Sequence, residues 1–167
     1  MAIIKLNATR GLEGALPAVS GASLTGVSAG KILQIQHANS SSGVATSSTS
    51  YSDIVTVNIT PSATSSTILI MCSVQMRKDS SAVGNQSAGL RILRDSTEII
   101  NHTNYGSWND NNTNRTQESV QMNHIDSPSS TSAITFKLQG RAMVSGGQVS
   151  FNHDSSFSYI TVMEIEG

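Results

Sequence analysis

Four histidines, one cysteine and a scatter of carboxylates carry most of the chemistry open to this chain, and their spacing decides which kind. His37, His102, His124 and His153 lie far apart, and none stands at a metal-ligand spacing from another His or Cys. His124 and Asp126, two apart, would share one face of a strand and form a hydrogen-bonded pair; His153 and Asp154, adjacent, would point oppositely in extended backbone. Cys72, the single cysteine, sits in the apolar run from Ile68 to Met76, with no base or cation beside it to make a reactive thiolate, and reads as a small core residue. No Ser-His-Asp order sits on recognisable strand-turn-helix elements, and Gly84, Gly89, Gly146 and Gly147 precede no strand-to-helix step that would cradle a phosphate. Glu98 and Glu118 form no evident acid pair. The pattern points away from catalysis and calls for no cofactor and no metal.

One stretch reads as a binding surface. Tyr105 and Trp108 stand in a polar loop that continues through Asn109, Asp110, Asn111 and Asn112. Flat aromatic faces beside amides suit stacking on a sugar ring or contact with a protein, the amides bonding hydroxyls. The same run is oxygen-rich like a calcium loop, yet lacks the regular carboxylates and the closing Glu.

The elements that must position these residues are strands. In the segment from Ser127 to Gly140 a small polar turn leads into a strand with Ile134, Phe136 and Leu138 on one face. Similar units are expected over Lys31 to His37, Tyr51 to Thr60 with Val55, Val57 and Ile59 inward, Thr67 to Met76, Ala88 to Leu93, Thr97 to His102, Val120 to Asp126, Ala133 to Arg141, Gln148 to Asn152 and Phe157 to Ile165. Ala38 to Thr49 reads as one loop, and Arg94-Asp95-Ser96 as a hairpin connection. No helical period of ten residues appears after Lys31, so the fold class is all-β, a jelly-roll-like antiparallel sandwich over 31–167. Thr67 to Met76 and Phe157 to Ile165 are apolar on both faces, and the second face, read as Leu69 and Met71 with Ile160 and Val162, is expected to meet another subunit.

Residues 1–30 differ: Gly11, Gly14, Gly21, Gly26 and Gly30 punctuate isolated Leu12, Leu16, Val19, Leu24 and Val27. Neither period survives that spacing, and the segment reads as an N-terminal arm that docks on another surface.

Composition narrows the partners. Charged residues make up 13% and the net charge is −1, while Ser, Thr and Asn supply about a third of the chain. With no basic run there is no electrostatic footprint for nucleic acid or an anionic membrane. No stretch approaches the roughly 18 apolar residues that span a bilayer, and the first residues do not make a secretory signal, so synthesis in the host cytoplasm is expected.

Several stretches together resemble small virion proteins of tailed phages, particularly marine ones: Met1 to Leu6, Gly14 to Thr25, Gly30 to Gln34, Ile59 to Ile70, Leu93 to Ile99, Asp126 to Ala133 and Tyr159 to Ile165. Such proteins are commonly tail-fibre or other structural components. The resemblance implies a non-enzymatic protein of the virion surface, a homotrimer of jelly-roll domains joined to other virion proteins through its N-terminal arm. Two roles follow from it: host attachment as a tail-fibre or receptor-binding module facing a host-surface glycan or protein, or capsid decoration that cements the head. A free carbohydrate-binding module is the third.

Overall fold

The computed structural model describes residues 31–78, 86–105 and 115–167, with the side chains of residues 104 and 105 excepted. The arm at 1–30 lies outside them. Ten strands run through the described residues in chain order: β1 Ile32–Ser40, β2 Val44–Thr46, β3 Ser52–Ile59, β4 Thr67–Lys78, β5 Ala88–Arg94, β6 Thr97–Tyr105, β7 Thr116–Asp126, β8 Ile134–Ala142, β9 Val149–Phe151 and β10 Ser158–Ile165. The described chain contains no helix. All pairings are antiparallel and form two sheets.

The six-stranded sheet is built around β4. β7 pairs along residues 68–78, while β10 pairs with residues 67–73 and β9 with residues 76–78. β1 flanks β10 and β2 flanks β9. The second sheet has the order β3-β8-β5-β6. Each sheet turns one apolar face inward, and Val57, Ile59, Leu90, Ile92, Phe136 and Leu138 of one meet Ile68, Ile70, Val74, Met122, Phe151 and Val162 of the other in a single core. The expected sandwich is therefore present, held by apolar burial between two half-wet sheets.

Local chemistry accounts for the details. In β3 the register shifts between Asp53 and Val55, so Ile54 occupies a bulge and both Ile54 and Val55 are buried, breaking the simple alternation. The β5–β6 hairpin turns on Asp95, whose φ of 53° is the left-handed conformation Asp tolerates better than most. Its carboxylate accepts a hydrogen bond from Thr135 N at 2.9 Å and its own N–H donates to Thr135 O at 2.7 Å, tying the turn to β8. Ala38 to Thr49 is not one loop, because β2 interrupts it. Three residues in a Ser/Thr-rich stretch carry little strand signal of their own; pairing with β9 supplies the order.

Register also corrects the expected subunit face. Ile160 lies opposite Cys72 and Val162 opposite Ile70, so both join the core with 0% of their surface exposed. Leu69 and Met71, which face Met163 and Thr161, do lie on the outer side. β10 is apolar on both faces, and alternation alone cannot decide which face a strand buries.

Glu164 continues the inward row of β10 and is fully buried. Its carboxylate accepts hydrogen bonds from Ser62 N at 2.6 Å, Ser62 Oγ at 3.1 Å and Gln34 Nε2 at 2.7 Å. Burial pushes the carboxyl up, but these hydrogen bonds, Gln34's foremost, outweigh it and hold the group below the usual carboxylate range. The ion clamps the turn after β3 onto β10 and β1. A second charged tie joins the two sheets: Arg94 Nη1 at the end of β5 reaches both oxygens of Asp126 at the end of β7, at 2.9 and 3.0 Å.

Candidate binding surface

Alternation along β8 turns Lys137, Gln139 and Arg141 to the outer face of the four-stranded sheet. Register sets Arg91 of β5 directly opposite Gln139, and Gly89 opposite Arg141. Ser52 lies opposite Gly140, which delivers Tyr51, the residue before β3, to the same end of that face. A Cβ at Gly89 would stand 3.0 Å from both Arg141 Nε and Met143 Sδ, so the missing side chain leaves the room through which Arg141 lies.

Tyr51 covers the result. The Arg91 guanidinium carbon lies 4.0 Å from the ring centroid and that of Arg141 4.7 Å, both within cation–π range. Tyr51 Oη donates to Asn101 Oδ1 at 2.9 Å. Arg91 Nε donates to Gln139 Oε1 at 2.7 Å and Arg91 Nη1 to Glu98 Oε2 at 3.1 Å, while Asn101 Nδ2 donates to Glu98 Oε1 at 2.9 Å. Gln139 in turn donates to Asp53, which lies 3.8 Å from Lys137 Nζ.

The hydrogen bond from Asn101, and then that from Arg91, hold the Glu98 carboxyl below its usual range, so it is an anion at neutral pH. Three cations, Arg91, Lys137 and Arg141, against two anions, Asp53 and Glu98, leave this face one positive charge in excess. Arg141 carries that excess. Its hydrogen-bond partner is Thr49 O at 3.3 Å, and its buried Nε has no acceptor. A flat ring backed by guanidinium groups and rimmed by amides, on a sheet face, suits recognition of a hydroxyl-rich or anionic surface.

None of the residues singled out from the sequence is among those that form this platform in the described structure. Trp108, Asn109, Asp110, Asn111 and Asn112 lie outside the described residues, as does the side chain of Tyr105, whose backbone ends β6 opposite Ala88. That loop therefore leaves from the strand end nearest Gly89 and Arg141. His124 and Asp126 do share a face, but Asp126 bonds Arg94 rather than the histidine. His153 and Asp154 do not diverge: Asn152 and Asp154 take φ values of 56° and 53°, and the folded-back chain brings His153 Nδ1 to 2.9 Å from Asp154 Oδ2 and 3.0 Å from Arg77 Nη1. His37 lies on the outer face of β1, its Nδ1 2.9 Å from Thr161 Oγ1. Cys72 is buried, and loss of solvent pushes its thiol up to about 12. Among the described residues no three His, Cys, Asp or Glu side chains gather to hold a metal.

Neither a family model nor a curated protein matches the sequence. In structure the chain is similar to T=1 particles derived from infectious bursal virus, with a TM-score of 0.44 and 12% identity over 90% of this chain and 42% of that one. It is similar too to a mutant VP2 protein of infectious bursal disease virus in derived T=1 particles, at 0.44 and 14% over 93% and 41%, and to the VP2 subviral particle, at 0.41 and 13% over 90% and 44%. The chain spans about two fifths of the length of those it matches. Likeness at this level carries no argument about what the chain does.

Proposed function

We propose that the chain is a non-enzymatic surface module of a virus particle, and that its four-stranded sheet contacts a host-surface glycan. The observation that carries the reading is the Tyr51, Arg91 and Arg141 platform, an aromatic ring and two guanidinium groups set among Gln139, Asn101, Asp53 and Glu98. A sugar bearing hydroxyls and a carboxylate supplies both an anion for the excess positive charge and an apolar ring face for the aromatic ring. The resemblance of Ile59 to Ile70 and Tyr159 to Ile165 to virion proteins supports the particle setting, with the N-terminal residues as the link to other virion proteins.

Purified protein in excess should block adsorption of the parent virus to its host cells. The Arg141→Ala and Arg91→Ala variants, with urea midpoints within reach of the parent's, should block poorly. Blocking that survives both substitutions would remove the platform from the reading. Failure of the folded parent protein to block, together with particles that burst at lower temperature when they lack it, would move the role to capsid decoration.

A further inference from the structure

The outer face of the six-stranded sheet is unlike that of its partner. Register lines up Ile35 of β1, Met163 of β10, Leu69 of β4 and Ile125 of β7 in one row across four strands. Ile35 is 53% and Ile125 61% exposed, and Met71 stands two residues beyond Leu69 along β4, on the same face. At the near end of the row Ile32 and Leu33, 57% and 39% exposed, adjoin Ile165. None of these residues is charged, and together they form an apolar patch where the chain enters β1.

We propose that this patch is covered by residues 15–30 of the same chain. Size separates that occupant from a second copy. Four strands at about 4.8 Å spacing, and three outward residues along each at about 7 Å, bound the patch at roughly 400 Å², with His37, Thr161 and Asn123 bringing polar groups in along its far side. A standard protein–protein interface takes about 800 Å² from each partner. The trimer expected from the sequence loses half of its proposed face to the core with Ile160 and Val162, and what remains is small for a subunit contact. It is well matched to one extended segment, since the row is about 14 Å long and a chain advancing about 3.3 Å per residue crosses it in five residues.

Position and composition agree. Glu166 N donates to Lys31 O at 2.9 Å, which holds the start of the described chain beside Ile165 at the rim of the patch. Residues 15–30 carry no charge and present Leu16, Val19, Leu24 and Val27 among Ala, Ser and Gly, whereas Lys5, Arg10 and Glu13 precede them. Val27 and Leu24 stand four and seven residues before Lys31, within reach of the row. A tether this short gives an effective concentration of order millimolar, so a modest apolar contact suffices to keep the segment down. The small residues between the apolar ones let the backbone approach the sheet closely. The inference is independent of the attachment reading, since it holds or fails on the purified chain with no particle or host present.

Four methionines provide the test. Met71 and Met163 lie on the outer face, while Met76 and Met122 are in the core. In the full chain, peroxide oxidation followed by peptide mass spectrometry should find Met71 and Met163 slow at every protein concentration. Leu24→Asp with Val27→Asp should speed both several-fold and leave Met76 and Met122 unchanged, and the milder Leu24→Ser with Val27→Ser should act in the same direction. Unchanged rates at Met71 and Met163 in both variants would overturn the proposal. Protection that falls on dilution of the parent protein would assign the patch to a second copy, and faster oxidation of all four methionines would place the segment in the core; either result overturns it as well.

Discussion

Gly140 marks a close approach between the two sheets, and replacing it with Ala tests the packing directly. It follows Ile134, Phe136 and Leu138 on the inward face of β8, where every neighbour has a side chain. The space is taken by Phe151 of β9, in the opposite sheet: a Cβ at 140 would stand 2.6 Å from Phe151 Cε2, closer still to Phe151 Cζ, and 2.9 Å from Ile54 Cδ1. Ordinary carbon contacts sit at about 3.5–4.0 Å, so roughly 1 Å must be found. Phe151 cannot easily yield, because it is fully buried and its strand is paired on both sides, to Val44 and to Met76.

The sign of the effect is the informative part. Gly140 is not in the left-handed region, so Ala is allowed by the backbone and would on its own stabilise by about 0.4–1 kcal/mol through the unfolded chain. Overpacking of a filled core costs about 1–3 kcal/mol. The net expectation is a loss of about 1–2 kcal/mol, which in a chain of this size lowers Tm by roughly 2–8 °C. Urea unfolding followed by far-ultraviolet circular dichroism measures it. Phe151→Leu makes room for the new methyl, so Gly140→Ala with Phe151→Leu should be more stable than the sum of the two single changes by at least about 0.5 kcal/mol. A Gly140→Ala protein more stable than the parent, or strict additivity with Phe151→Leu, would refute this account of how the sheets meet.

Glu164 makes stability depend on pH. Its folded pKa lies below the unfolded value of about 4.3, so its contribution is complete above that pH and is lost as pH falls through the lower folded value; in Glu164→Gln, urea midpoints between pH 7 and pH 3 should fall less steeply than in the parent. Asp126→Asn weakens the tie from Arg94 between the sheets and should cost about 1.5–3 kcal/mol, the usual range for a hydrogen bond to a charged group, read as a urea midpoint shift at neutral pH. Cys72, buried and with its thiol raised to about 12, should stay unlabelled by a thiol-reactive dye in the native protein and label at once in urea. Rapid native labelling would mean that β4 opens readily.

What was legible in the sequence was whatever one strand says about itself. Val55, Val57 and Ile59 of β3 and Ile134, Phe136 and Leu138 of β8 are buried as their alternation requires, and the Asp95-Ser96 turn announces the hairpin. Ile54 was hidden by a bulge, and β2 by its length. The inward face of β10 was hidden because both of its faces are apolar, so only pairing with β4 could choose Ile160 and Val162 over Thr161 and Met163. Lys78 and Glu164 are buried, against the ordinary expectation for their charges. The platform could not be read at all: Tyr51, Arg91 and Arg141 lie tens of residues apart, and they meet only because β8 pairs with both β3 and β5 in one particular register.

The two outer faces make opposite demands on water, and that difference orients the module. Around Tyr51 the four-stranded sheet holds charged and amide groups whose hydrogen bonds would be costly to strip of solvent unless a ligand replaced each one. Ile35, Met163, Leu69 and Ile125 on the six-stranded sheet would gain by losing contact with water. A sandwich with one such face of each kind has a side that favours being covered and a side that favours being displayed. If residues 15–30 cover the first, the residues before them emerge on the covered side, opposite the platform across the thickness of both sheets. An N-terminal link to a particle would then leave Tyr51, Arg91 and Arg141 facing outward, the orientation that attachment to a host requires and that a protein cementing a shell through its polar face would not show.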